Sequence, residues 1–201
     1  MNTKLKLLLH ICCAPCSTYP IQVLQTDYDV ELLFYNPNVH PEAEYNTRLE
    51  EARNYARKIG VKFHELEYDS EIWFNSMKGL ENEPEGGVRC EVCYRIRLGK
   101  VAQFAIANGF EHFATTLSVS PHKKAETINS IGQMIADMYS LEFYEADFKK
   151  NDGFKMATQL SKEAGLYRQS YCGCIYSKKE REGNKNGRES GIEDESSKCI
   201  E

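Results

Sequence analysis

The stretch Lys6-Leu-Leu-Leu-His-Ile-Cys-Cys-Ala-Pro-Cys-Ser17 decides how the chain is read. Residues 6–11 form a short apolar run of the kind that makes a buried strand. The run ends in a double cysteine, and residues 18–25 continue with helical spacing. The same alternation repeats down the chain. Strand patterns at 30–35, 61–68, 112–117 and 141–146 alternate with helix patterns at 42–59, 70–77, 90–108, 125–139 and 154–164. Pro41 suits a first helical turn, and Gly60, Gly109 and Gly165 stop helices. The pattern predicts an α/β fold: a doubly wound, mostly parallel five-stranded sheet with helices on both faces. Such a sheet binds ligands beyond the carboxyl ends of its strands, where the strand order reverses.

The chain has 201 residues, 41% of them hydrophobic and 11% aromatic. That predicts one folded domain, placed at residues 1–179. Residues 180–201 are rich in Gly, Asn, Ser and charge, with seven acids against four bases, and read as a disordered tail. The net charge of −5 does not advertise nucleic-acid binding, although a local basic patch is compatible with it. No apolar run reaches the twenty or so residues that cross a bilayer, and Leu7-Leu8-Leu9 is followed by no small-residue cleavage site. The expected location is cytoplasmic, with no membrane partner.

In a reducing compartment the eight cysteines are read as metal ligands or redox centres rather than disulfides. Seven of them fall in three distant motifs. Cys12-Cys13-Ala-Pro-Cys16 occupies the turn where a doubly wound fold normally puts a glycine-rich phosphate loop. A helix N-terminus there favours thiolate. Cys90-Glu-Val-Cys93 opens the longest helix, so its two sulfurs share one face near the positive end of the dipole. Cys172-Gly-Cys174 follows the last helix pattern, and Gly173 lets two sulfurs converge. Cys199 lies in the tail and is set aside as a free surface thiol. Singly, each motif also fits a zinc half-site, a dithiol or a small buried side chain. Together, seven sulfurs exceed the four of one structural zinc, and thiolate-rich sites suit iron–sulfur clusters.

Six segments carry a resemblance. They are His10-Ile-Cys-Cys-Ala-Pro-Cys-Ser17, Tyr35-Asn-Pro-Asn-Val-His-Pro41, Glu44-Tyr45-x-x-Arg48, Arg89-Cys-x-x-Cys-Tyr-x-x-Arg-Leu98, Thr115-Thr-Leu-x-x-Ser-Pro-His122 and Tyr167-Arg-Gln-Ser-Tyr-Cys-Gly-Cys174. With these the chain resembles the QueH family of epoxyqueuosine reductases, across residues 10–178. The resemblance implies the nucleotide-hydrolase-like (HUP) type of doubly wound fold. It implies a [4Fe–4S] cluster with an adjacent mononuclear iron, and reduction of the epoxide of epoxyqueuosine in tRNA to queuosine without cobalamin, the last step of queuosine biosynthesis. It carries Cys12, Cys13, Cys90, Cys93, Cys172 and Cys174 over as metal ligands. Cys16 also matches, but its spacing places it inside the following helix, facing away. Asp147 is a candidate non-sulfur ligand, with a helix cap or a surface acid as the alternative. The partners implied are tRNA carrying epoxyqueuosine, not DNA, and an external one-electron donor of ferredoxin or flavodoxin type.

Converting an epoxide to an alkene takes two electrons and two protons and releases water. No nicotinamide or flavin fingerprint is present, so the electrons are expected to pass through the metal centre. His10, His122, Tyr171 and Asp147 are the candidate proton donors. Lys123, Lys149 and Arg168, with Lys124, Lys150, Arg48, Arg95 and Arg97 behind them, are candidates for phosphate contact, and Asn36 for substrate contact at a strand end. Tyr35, Tyr94 and Tyr171 are candidates for stacking on a base. Three rival readings stay open on residues alone: an ATP-dependent tRNA-thiolating enzyme, which needs glycines after the first strand; a zinc-stabilised RNA-binding module; and a dithiol oxidoreductase.

Overall fold

A computed structural model describes residues 4–192. Five strands, β1 (Leu5–Ile11), β2 (Tyr28–Phe34), β3 (Phe63–Glu65), β4 (His112–Thr115) and β5 (Glu142–Phe143), form one sheet in the order β3-β2-β1-β4-β5. All four neighbouring pairs are parallel. Parallel neighbours need crossovers. These run through α1 (Ala14–Leu24), α2 (Glu42–Lys58), α3 (Ser70–Ser76), α4 (Val88–Ala107) and α5 (Ala125–Tyr139), and α6 (Gly153–Glu163) and α7 (Ile175–Ile192) follow β5. The chain builds outward from β1 to β3, then returns to lay β4 on the free side of β1. The order therefore reverses between β1 and β4, and a crevice opens beyond their carboxyl ends.

Period-two alternation makes the core two-sided. Leu7, Leu9 and Ile11 of β1 and Val30, Leu32 and Phe34 of β2 pack with Ile21 of α1, Ala52 of α2 and Ala157 of α6. Leu8 and Leu33 face the other way, onto Leu98 and Val101 of α4 and Ile128 and Ile131 of α5. His10 shares the second face and is completely buried.

Among the boundaries that differ from the sequence expectation, three bear on the site. Helix α1 begins at Ala14, because Pro15 in its first turn needs no N–H partner. Strand β4 stops at Thr115. The Thr115 hydroxyl accepts the Leu117 N–H and draws residues 116–119 into a 3-10 turn. Helix α7 runs from 175 through 192, so much of the expected tail is helical; the rest, with Cys199, lies outside the described residues. Glu180 ties this helix to α4 through a 2.7 Å ion pair with Arg89. No helix among the described residues is long and apolar enough to cross a membrane.

Helix α6 starts hard against α1: a Cβ at Gly153 would run into the Phe148 carbonyl oxygen and the Tyr19 ring. Gly153→Ala should therefore lower the free energy of unfolding by roughly 1–3 kcal/mol, measured by urea denaturation. An unchanged midpoint would mean that α6 is free to shift.

Candidate metal centre

The carboxyl end of β1 delivers Cys12 and Cys13, and the first turn of α1 adds Cys16. Because the helix starts at Ala14, Cys16 turns toward its neighbours and not away from them. The sulfurs of Cys12, Cys13 and Cys16 all lie within 4.8 Å of one another. The expectation that Cys16 faces away is thus corrected. The free N–H groups of the first turn lie beside these thiols and favour negative charge there. Gln169 Nε2 donates to Cys13 Sγ at 3.0 Å, and the Thr116 hydroxyl reaches Cys12 Sγ at 3.7 Å. Hydrogen bonds from Cys13 and Cys16 hold the Cys12 thiol well below its usual range, and the Lys123 and Arg97 charges act the same way. Burial drives Cys13 well upward, and the hydrogen bond to Cys12 pushes Cys16 up to about 12.

The other four cysteines share a second locality. Cys90 and Cys93 sit in the first two turns of α4, and Gly86 N–H donates to Cys90 Sγ at 3.2 Å. Cys174 Sγ accepts the Ser177 N–H at 3.3 Å, at the start of α7. Cys93 and Cys174 pack together with Trp73 and Met77. Burial pushes Cys90 up to about 12, and the charges of Cys172, Cys93 and Cys174 add to it. Burial raises Cys93 and Cys174 as well, again with Cys172 contributing. Thiols so hard to ionise become thiolates when a cation binds them. The donor set therefore fits a soft metal group. Cys172 links the two localities, since it lines one cavity with Cys12 and Cys16.

That cavity holds about 160 Å³ and lies at the β1–β4 crevice. Its wall includes Lys123, Arg97, Thr116, His122, Phe154 and Arg168. Lys123 is 9% exposed, the one lysine buried among the described residues. Burial opposes its charge, but Cys172, Tyr94, Cys12 and Cys16 outweigh it and raise its pKa.

Three buried arginines hold the motifs in place. Arg48 donates to the Cys172 carbonyl at 3.0 Å and the Tyr171 carbonyl at 3.2 Å, and pairs with Glu44 at 2.8 Å. Gly173 fits beneath it with φ +129°, where a Cβ would meet Val39 and the guanidinium. Arg89 caps the carbonyls of Glu81 and Glu83 and so fixes the loop before Cys90. Arg97 donates to Asn36 Oδ1 at 2.6 Å, while Asn36 Nδ2 donates to the Ile11 carbonyl at 3.0 Å, just before Cys12.

These contacts correct several expectations. Asn36 and Arg48 spend their polar groups on the protein, so Asn36 does not reach substrate and Arg48 does not meet phosphate, whereas Arg97 gives Nη2 to Asn36 and still lines the cavity. His10 lies behind the strand: Nδ1 is 2.8 Å from the Thr115 hydroxyl and Nε2 is 3.2 Å from the Tyr35 carbonyl. Burial and the Arg97 charge bring its pKa down to about 3, which keeps it neutral and unsuited to donating a proton. Tyr171 lines the cavity, but its hydroxyl is spent on the His40 carbonyl at 2.5 Å. Lys149 pairs with Asp147 at 3.0 Å and donates to the Lys123 carbonyl at 3.1 Å. Neither Asp147 nor Lys149 is in the cavity wall, so the site they form is a brace behind Lys123. Tyr35 and Tyr94 are buried and offer no free ring face. Arg95 reaches Met134 Sδ. His122, Lys123 and Arg168 do line the cavity. Sequence reasoning passed over Thr116, Gln169 and Phe154. Thr116 and Gln169 stand inside quoted motifs, which was the available signal; Phe154 had none.

A doubly wound α/β fold with three clustered cysteines at its switch point, and four more cysteines in a second locality, fits a metal-dependent redox protein. The comparisons narrow this. The family model described as "Epoxyqueuosine reductase QueH" matches residues 7–180. Relatives bearing that name include one from Streptococcus pyogenes, 40% identical over 184 residues, covering 89% of this chain and 72% of that one. Another, from Thermotoga maritima, is 38% identical over 180 residues and covers 87% and 91%. The chain belongs to the QueH family of epoxyqueuosine reductases. Among solved structures, the U34-tRNA thiolase NcsA from Methanococcus maripaludis, which has a [4Fe–4S] cluster, matches with TM-score 0.55 at 10% identity, over 88% of this chain and 62% of that one. A predicted subunit of tRNA methyltransferase from Methanocaldococcus jannaschii matches with TM-score 0.52 at 13% identity, over 80% and 89%. Both share the fold, the HUP type expected from the sequence.

Arg48→Met should expose the Tyr171 and Cys172 carbonyls to loss of their partner. The expected outcome is destabilisation of roughly 1–3 kcal/mol together with faster alkylation of Cys172, read by mass spectrometry of iodoacetamide-treated protein. Unaltered alkylation would show that Arg48 does not hold this loop.

Proposed function

We propose that this protein is an iron–sulfur epoxyqueuosine reductase that acts on tRNA and works without cobalamin. The observation that carries the reading is the cluster of the Cys12, Cys13 and Cys16 sulfurs within 4.8 Å of one another, with Cys172 lining the same small cavity beside a buried lysine. Both C–O bonds of the epoxide break, a C=C bond forms, two electrons and two protons are consumed, and the oxygen leaves as water. The electrons come from an external one-electron donor of ferredoxin or flavodoxin type.

Cys12, Cys13, Cys90, Cys93, Cys172 and Cys174, now with Cys16, are the proposed ligands. A [4Fe–4S] cluster takes four thiolates, and three more sulfurs support a mononuclear iron beside it. When bound, the pair supplies electrons one at a time and an electrophilic position for oxygen. The chain's own side chains do the rest. The buried Lys123 ammonium faces the space beside Cys12 and Cys172 and orients the substrate oxygen by hydrogen bonding. His122, exposed at the rim, is within the same wall and is the remaining candidate proton donor. Arg168 is fixed by Ser161 Oγ at 2.9 Å, which aims its remaining N–H groups outward at a phosphate. The β1–α1 turn presents sulfur where an ATP-using relative of the fold would need glycine, which argues against the thiolating alternative.

The test is anaerobic reconstitution with iron and sulfide, followed by assay of epoxyqueuosine-containing tRNA with dithionite. Wild type should show broad visible absorption and form queuosine. A Cys90→Ala, Cys93→Ala variant should lose both, and full turnover by that variant would overturn the scheme. Arg168→Met should weaken tRNA binding and make the plot of log affinity against log salt shallower by about one. An unchanged slope would remove Arg168 from the phosphate contacts.

A further inference from the structure

The cavity is small. Its volume of about 160 Å³ lies below the roughly 300–1,000 Å³ of pockets that bury a whole drug-sized ligand. It can take the reacting part of a modified nucleotide, but the neighbouring bases must be held at its mouth. Single-stranded RNA readers hold bases by stacking them on aromatic faces, because every base has a π-face.

Among the described residues, the cavity wall contains one phenylalanine or tyrosine ring that is open to solvent. Phe154 is 40% exposed and lines the cavity together with Thr158, Ala157 and Arg168. The other such ring of the wall, Tyr171, is buried, and the Arg48 guanidinium lies over it, 5.4 Å from the ring centre. Phe154 is also rigidly placed. It sits in the first turn of α6, directly after Gly153, whose backbone approaches Phe148 and Tyr19 so closely that a Cβ there would clash with both. One turn further along the same face is Thr158, whose carbonyl accepts a long hydrogen bond from Arg168 Nη1 at 3.5 Å. An open ring and an oriented guanidinium thus stand side by side at the entrance. Isolated exposed apolar residues are ordinary on protein surfaces; Phe154 differs in sharing a wall with Cys12, Cys16 and Cys172.

Resting on the reductase reading, we propose that Phe154 is the stacking platform for an RNA base at the cavity mouth, and so a specificity-determining residue. The base stacks on the exposed ring, Arg168 meets the adjoining phosphate, and the modified side group enters toward the sulfurs.

The test compares wild type, Phe154→Ala and Phe154→Trp in the reconstituted full chain. Binding is measured with tRNA carrying queuosine, which contains the product and does not react. Loss of one stacked base should weaken binding roughly 5- to 150-fold in Phe154→Ala, and raise KM while kcat at saturation stays close to wild type. Phe154→Trp should bind within about threefold of wild type. Its new indole should be quenched on adding the tRNA, against a constant signal from Trp73, the single native tryptophan, which is fully buried. The unfolding midpoint and visible absorption should be the same in all three. Equal binding by wild type and Phe154→Ala, or failure of Phe154→Trp to bind or to be quenched, overturns the proposal. Wild type that binds the tRNA but forms no queuosine overturns the reductase reading and leaves the stacking result standing. Wild type that binds no tRNA overturns both.

Discussion

The buried guanidinium of Arg48 is the contact on which the site depends. It joins helix α2 to a loop more than a hundred residues away by donating to the carbonyls of Tyr171 and Cys172. Without it that loop would bury two unpaired acceptors, and the hydrogen bonds from the His40 N–H to the Gly173 carbonyl and from the Tyr171 hydroxyl to the His40 carbonyl would have to hold it. Only arginine offers several donors in one rigid plane together with a permanent charge. Its own burial is tolerated because Glu44 pairs with it at 2.8 Å and the Tyr171 ring lies under it. Arg89 repeats the device for the loop before Cys90, and Arg97 repeats it below Cys12 through Asn36. Each of the three cysteine motifs thus has its own buried arginine, and each arginine places at least one donor on backbone or on an amide next to that motif.

The second constraint is charge. Lys123 and Arg97 are buried cations, and among the described residues no carboxylate pairs with either. Burying an unpaired charge is expensive, and among the sulfurs nearby Cys12 is the one drawn toward thiolate. The relation runs both ways. The same two cations help hold the Cys12 thiol well below its usual range. A compact group of thiolates would repel itself, and buried positive charge together with the first-turn N–H groups of α1 and α4 offsets that repulsion.

The sequence showed its architecture well. The alternation of strand and helix patterns, read from the 6–11 run outward, led to the sheet that is observed, because burial on both faces makes parallel strands apolar throughout. The motif cysteines were equally visible. What misled was side-chain direction. Cys16 is expected to face away because its spacing places it inside the helix, whereas Pro15 lets that helix start at Ala14, so that Cys16 lies in the first turn beside Cys12 and Cys13. His10, Asn36 and Tyr171 stand at strand ends and in motifs, as ligand-binding residues do. In the folded chain their polar atoms close onto Thr115, Ile11 and His40. A motif marks residues that a site needs, and it does not separate those that touch the ligand from those that hold the ones that do. Phe154 shows the converse: no local pattern surrounds it, and only its place on the rim distinguishes it.

By itself, the sequence determined the strand and helix periods, the cysteine spacing within each motif and membership of the family, since these depend on residues a few positions apart or on the chain as a string. Only the tertiary structure decided which sulfurs meet, which cations lack partners and which ring remains open. Those are outcomes of strand order and of competition for buried hydrogen bonds. Position 172 comes beside both 12 and 90 because the sheet reverses between β1 and β4 and buried arginines hold the loops at that point, and no spacing along the chain encodes that distance.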